Sequence, residues 1–256
     1  IPTGRCREGQ RTYRHQTEIQ LRGRKVFVMN SSRDQLCPWG HSAGVAPTAN
    51  TESAPHAGST RAHTVVVLLA AGAGSRFHGD GHKLTAEIVD SETGRTHTVV
   101  ERSIASALSA DVGPVVVVTG AAGNVVPDHL AAAVITAHND RWEDGQITSL
   151  HCGIDAARSL GATTVVVGLA DQPFIDPRAW QTVAECPGPI AVATYGGRRA
   201  NPVKLTAQIW DLLPTTGDEG ARSLMRVRPE LVREVACVGS PADIDTTEDL
   251  RRWQSN

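Results

Sequence analysis

The sequence predicts an α/β protein: a three-layer α/β/α sandwich built on a Rossmann-like, mainly parallel sheet. Beyond residue 62, apolar runs of strand length recur as VVVLLA (65–70), PVVVVTG (114–120), AAVITA (132–137), TTVVVGLA (163–170) and PIAVATY (189–195). Continuous Val-rich runs of this kind belong to strands covered on both faces, whereas half-exposed strands alternate. The stretches between them leave room for helices at about 99–110, 123–132, 146–160 and 176–186, and this alternation is the pattern of a sheet with helices on both sides. Composition agrees, since 40% hydrophobic but only 4% aromatic residues describe a core of Ala, Val, Leu and Ile.

The elements continue less regularly after Tyr195. GGRR (196–199) reads as a turn, NPVKL as a short segment, and helices follow near 206–213 and 218–228. A last strand around 231–238 and a helix starting near Thr246 complete a domain spanning 63–256. Residues 1–62 differ in kind. They are rich in Arg, Gln, Ser, Thr, Gly and Pro, with Val26-Phe27-Val28 as their one apolar cluster. They read as a mostly disordered N-terminal extension, either native or an addition, with a basic arm for RNA or a partner as the functional alternative.

Bulk properties narrow the function. With 25 Lys+Arg against 27 Asp+Glu the net charge is −2, so no polyanion-binding surface and no nucleic-acid partner is expected. Five scattered cysteines without a CxxC pair argue for a reducing cytoplasm, and Cys37 and His41 find no second pair at zinc spacing. No run of about 18 apolar residues is present, so no membrane is expected.

The segment LLAAGAGSRFHGDGHKL (68–84) follows the first buried strand, at the end of a parallel sheet where such folds bind ligands. A dinucleotide fingerprint requires a third glycine where Phe77 stands. A Walker loop requires Lys and Ser/Thr where Asp80 and Gly81 stand. What remains is a glycine loop whose N–H groups can wrap phosphates at a helix start, with Arg76 as a fork and Lys83 as a point charge. The alternative is a flexible turn bearing two solvated cations. Lys25, Lys83 and Lys204 are the chain's three lysines, which argues against Lys83 as surface filler.

Further carboxylates and polar groups follow. Asp171 directly succeeds a Val-rich strand and is placed to ligate a cation on phosphates, or else to form a turn with Pro173. In ADIDTTEDL (242–250), Asp243 and Asp245 stand before a helix start that Thr246 or Thr247 would cap. Asp218 and Arg222 share a face if helical, as an ion pair or with the arginine turned to an anion. The neighbours His151 and Cys152 have no identifiable third partner for nucleophilic catalysis.

These stretches resemble a known family. LAAGAGSRFHGDGHKL is similar to the LAAGxGxRxGxxK signature of the MobA-like NTP transferases, most closely the molybdenum cofactor cytidylyltransferases. NDRWEDGQITSL (139–150), GLADQPFI (168–175), TTGDEGARSLM (215–225) and ADIDTTEDL agree with further family elements in order. The resemblance covers about residues 64–253. It implies a fold of the nucleotide-diphospho-sugar transferase type and transfer of a nucleotidyl group from an NTP to a phosphorylated acceptor, with release of pyrophosphate.

By the same resemblance Arg76, Lys83 and Asp171 are catalytic, and Asp171 and Asp245 hold Mg²⁺. The nucleotide lies on Leu69, Ala70, Ala71, Gly72, Gly74, Arg76, Lys83, Gly145 and Ser149, with Asn139 in the same loop as Gly145. The acceptor meets Asn201, Asp218 and Arg222. Ala70-Ala71, where guanylyl-transferring relatives tend to have Gly, favours CTP as donor. Molybdopterin is the implied acceptor, with a molybdoenzyme or its chaperone as a further partner. Sugar-phosphate or isoprenoid-precursor transfer and a catalytically silent nucleotide binder are the alternatives. The chain departs from the family in HGDGH (78–82) and in Ala200-Asn201-Pro202-Val203-Lys204, where the family has Gly-His-Pro-Val.

Overall fold

The computed structural model describes residues 15–21, 24–30, 63–78, 81–90 and 94–254. Nine strands among them form one sheet: β1 (His15–Leu21), β2 (Arg24–Asn30), β3 (Thr64–Ala70), β6 (Val115–Thr119), β7 (Ile135–His138), β8 (Thr164–Leu169), β9 (Ile190–Tyr195), β10 (Arg198–Thr206) and β11 (Val232–Ala236). Their order is β11-β9-β10-β8-β3-β6-β7-β1-β2. β4 (Glu87–Val89) and β5 (Thr96–Thr98) make a separate hairpin. Within the nine-stranded sheet, contacts of β1 and β10 are antiparallel and the others parallel.

The Val-rich strands are sealed on both faces, as their composition requires. Val65 and Val67 of β3 face one layer, with Ile147, Leu150 and Ile154 of helix α2 (Gln146–Ser159). Val66 and Leu68 face the other, with Ile104 of α1 (Val99–Ser109) and Trp180 of α3 (Pro177–Glu185). Helices α4 (Ala207–Trp210) and α5 (Arg222–Val227) join the α2 layer, and α6 (Thr247–Gln254) packs Leu250 and Trp253 on the α1/α3 layer. Local signals fix the helix starts: a capping box between Thr98 and Glu101 opens α1, and Asp176 accepts from the Arg178 N–H at the start of α3.

The structure departs from the expected elements in several places. The helix expected at 123–132 is a single 3₁₀ turn, Asp128–Leu130, because Gly123 at positive φ and Pro127 leave too few residues before β7. GGRR is a turn only at its glycines, both at positive φ as a two-residue hairpin requires, and Arg198 and Arg199 belong to β10. Within the expected disordered extension, β1 and β2 pair with each other, and β1 adds to the edge of β7 through Ile19 and Gln20. An open strand edge offers unpaired N–H and C=O groups, and the second strand carries Val26-Phe27-Val28. The rest of that extension, with Cys37 and His41, lies outside the described residues. Lys204 is buried, at 5% exposure, and donates to the Cys186 carbonyl at the end of α3, a structural task.

Candidate active site

The sheet order creates a crevice. From β3 the chain moves outward to β6 and β7, then returns to the other side of β3 as β8, so the connections diverge between β3 and β8. Open α/β sheets bind ligands at such a switch point, outside the carboxyl ends of the strands. Leu69 pairs with Leu169, which places Ala71 and Asp171 side by side just past the strand ends. A cavity of about 350 Å³ opens there.

Its wall is the glycine loop. Leu69, Ala70, Ala71, Gly72, Gly74, Ser75 and Arg76 all line it, closed by Lys83. The loop turns at Gly74, whose carbonyl accepts from the Phe77 N–H at 2.9 Å. It does not enter an α-helix as expected: Lys83–Thr85 is one 3₁₀ turn leading into the β4/β5 hairpin, so no helix dipole backs this loop. His82 holds it instead. Its Nδ1 accepts from the Leu84 N–H at 3.3 Å, which assigns the ring proton to Nε2, and Nε2 donates to the Gly72 carbonyl at 3.0 Å. Gly79 and Asp80 lie outside the described residues.

The opposite wall is the start of α2, with Trp142, Gly145, Gln146 and Ser149. Gly145 caps the helix at φ 102°. A Cβ there would stand 2.6 Å from both Asp218 Oδ1 and the Gly217 carbonyl, so only glycine admits the 217–218 loop this closely. Asn139 is buried beneath the same wall and donates to Thr148 and Ser149.

The floor is ionic. Lys83 Nζ donates to Asp171 Oδ2 at 2.6 Å and to Asp245 Oδ1 at 2.7 Å, while Arg76 reaches Asp245 Oδ2 at 2.9 Å from an exposed position. Burial alone would lower the Lys83 pKa, but the Asp171 and Asp245 carboxylates outweigh it and hold the amine above its usual value. Asp243 behind them is pushed up by burial and then by the charges of Asp245 and Asp171. Asp171 Oδ1 is buried with no hydrogen-bond partner. An orphaned carboxylate oxygen beside a second carboxylate suits a hard divalent cation, which takes one or two carboxylates and completes its shell with phosphate and water. Among the described residues no cluster of three or more His, Cys, Asp or Glu could hold a metal alone, so phosphate oxygens would have to complete the shell.

A second cavity of about 410 Å³ adjoins the first, sharing Leu69, Gln146 and Leu169 with it. Its floor is apolar, from Leu150, Val167, Val192, Val203, Leu205 and Met225, and Arg199, Arg222 and Arg226 stand at its rim. Asn201 and Arg222 line it together. Asp218 does not join them: it precedes α5, which begins only at Arg222, and it lines the first cavity beside Gly145. The shared helix face expected for Asp218 and Arg222 is therefore absent, because Gly217 and Gly220, both at positive φ, bend the chain there.

Comparison with known proteins follows the same outline. The profile of the MobA-like NTP transferase domain matches residues 66–235. The chain belongs to this family. Purine catabolism protein PucB of Bacillus subtilis (strain 168) is 33% identical over 112 residues, which is 42% of this chain and 55% of that protein, so the match spans little more than half of the relative. A nucleotidyl transferase from Methanothermobacter thermautotroptrophicus superposes with a TM-score of 0.63 at 24% identity, over 75% of this chain and 96% of that one. Rv0371c of Mycobacterium tuberculosis H37Rv, in complex with manganese, gives 0.56 at 22%, over 77% and 100%. The inositol-1-phosphate CTP transferase of T. maritima gives 0.56 at 16%, over 76% and 97%.

This MobA-like NTP transferase thus has the family's nucleotidyltransferase fold. The sequence marks His82 only as part of the unusual HGDGH stretch and assigns no role to Gln146 or Gln172, because what each does depends on what it meets in space. Gln146 could have been suspected, since it directly follows the Gly145 turn before a helix. His151 and Cys152 form no catalytic pair: His151 contacts the Pro214 carbonyl, Cys152 donates to the His138 carbonyl, and burial pushes the thiol up to about 12.

Proposed function

We propose that residues 63–256 form a cytidylyltransferase domain that moves the nucleotidyl group of CTP to the phosphate of a molybdopterin-type acceptor, releasing pyrophosphate. The observation that carries this reading is the convergence of Arg76, Lys83, Asp171 and Asp245 under the glycine loop at the switch point.

In this reading the triphosphate lies along Ala71–Arg76, with the loop amides and Arg76 on its outer phosphates. The base and ribose rest between Leu69–Ala71 and the Gly145–Ser149 wall. Lys83 holds the two carboxylates together before substrate arrives and turns its charge to the α-phosphate as negative charge develops there. Asp171 and Asp245 would hold Mg²⁺, which supplies neutralisation of phosphate charge when bound. The acceptor phosphate, steered by Arg222, enters from the second cavity and attacks in line. No covalent intermediate on the protein is needed.

The apolar floor of the second cavity favours a heteroaromatic acceptor over a sugar phosphate, whose hydroxyls would lose water without finding partners there. A thermal-shift screen of CTP, GTP, UTP and ATP with Mg²⁺ tests the donor, and stabilisation by CTP above the others is the expected result. Lys83→Ala is expected to retain the fold and lose on the order of 10²-fold or more in turnover with molybdenum cofactor as acceptor.

A further inference from the structure

Gln172 is nearly sealed from solvent, at 7% exposure, and both ends of its amide are used. Nε2 donates to the Pro241 carbonyl at 2.9 Å, and Oε1 accepts from Asn201 Nδ2 at 3.0 Å. The amide cannot be turned over, because a flip would set oxygen against the Pro241 carbonyl and nitrogen against the Asn201 amine. The backbone of Asn201 is itself restrained, since its main-chain carbonyl accepts from the Tyr195 hydroxyl at 3.1 Å.

The location of this tie matters. Asp171 follows β8 and Asp245 lies beyond β11, and those strands are separated in the sheet by β9 and β10. No pairing between the sheet strands therefore sets the distance between the two carboxylates, and the segments that follow those strands meet only at an isolated antiparallel bridge between Ile175 and Gly239 and at the contacts beyond it. The segment 240–244 is laid against 171–174 by the Ile244 N–H on the Asp171 carbonyl at 2.9 Å and the Ser240 N–H on the Phe174 carbonyl at 3.2 Å. Between these two points Gln172 adds a side-chain tie, and through Asn201 it reaches the strand that lines the second cavity.

We propose that Gln172 is the positioning residue for the carboxylate pair: it fixes the seat of Asp245 relative to Asp171, and Asn201 fixes Gln172. Asn201 thus serves the acceptor cavity as wall while its amide is committed to the carboxylate side. This rests on the reading of Asp171 and Asp245 as metal carboxylates. An N–H donor is what position 201 must supply, and a histidine there can supply one as well.

The test is Mn²⁺ binding with CTP present, followed by electron paramagnetic resonance, on wild type and on Asp171→Asn, Gln172→Leu, Asn201→Ala and Asn201→His. Loss of a partner bonded to a metal ligand itself typically weakens affinity by about 10- to 100-fold, and because Gln172 and Asn201 act through the backbone of 240–244, a loss at the lower end, about 10-fold, is expected for Gln172→Leu and Asn201→Ala. Asn201→His is expected to bind as wild type does. CTP binding without metal is expected to be unchanged in Gln172→Leu and Asn201→Ala, which a general loss of structure would not leave intact. Unchanged Mn²⁺ affinity in Gln172→Leu and Asn201→Ala, with loss in Asp171→Asn, would overturn the positioning role. So would a loss in Asn201→Ala that Asn201→His fails to restore. Unchanged affinity in Asp171→Asn, or no Mn²⁺ on the wild type with any of the four NTPs, would overturn the metal reading and this inference with it.

Discussion

Single residues carry much of the account, and Gly145 is the most constrained of them. Its positive φ and its contact with Gly217 and Asp218 leave no space for a side chain. Gly145→Ala should cost about 1–3 kcal/mol in stability, from backbone strain and displacement of the 217–218 loop, read as a lowered midpoint in urea. Under the proposed function it should also weaken CTP binding, because Gly145 and Asp218 both line the first cavity. Cys152 gives a second check at this scale. With its thiol pushed up to about 12, chiefly by burial and then by the charges of Asp155 and Asp140, almost no thiolate exists at neutral pH. Iodoacetamide at pH 8 should therefore leave Cys152 unmodified in the native protein and alkylate it in urea, as peptide mass spectrometry would report. Rapid native labelling would reopen the nucleophile reading.

Among the elements, α3 shows how a short-range signal becomes stability. Asp176 stands at its start, and its carboxylate is held down to about 2, first by the Arg178 side chain and then by the Arg178 N–H. A folded-state value below the unfolded one means stability that is present above pH 4 and lost as pH falls through about 2. Asp176→Ala should therefore destabilise the protein by about 1 kcal/mol at pH 7, with the difference shrinking toward pH 2. Thermal melts of the two proteins across that range measure it. The start of this helix was legible in the sequence to within one residue, as the helix expected at 176–186, because a helix and its boundary signals are neighbours in the chain. The 3₁₀ turn at Asp128–Leu130 was not, because Ala-rich residues after Pro127 look helical until the nearness of β7 is known.

The whole molecule repeats this contrast at longer range. The layered fold was legible because Val-rich runs such as 115–118 admit only a doubly covered strand, and Asp171 because it stands directly after one. Lys83 and Asp245 were legible through their motifs, yet their separation of 2.7 Å across 162 residues is a product of topology alone. Gln172, His82 and the displacement of Asp218 to the first cavity belong to the same class, since each depends on a contact between distant segments. The β1/β2 hairpin was hidden in a polar stretch that gives no periodic signal, and an available edge at β7 accounts for it better than its composition does.

The same topology makes one claim central: the carboxylates brought together at the switch point drive nucleotidyl transfer. Pyrophosphate release from CTP with Mg²⁺ and molybdenum cofactor, compared between wild type and Asp171→Asn, tests it most directly. The account predicts one pyrophosphate per acceptor consumed by the wild type and a rate lower by on the order of 10²-fold or more in the variant. Equal rates in the two proteins, or no pyrophosphate from the wild type, would contradict it.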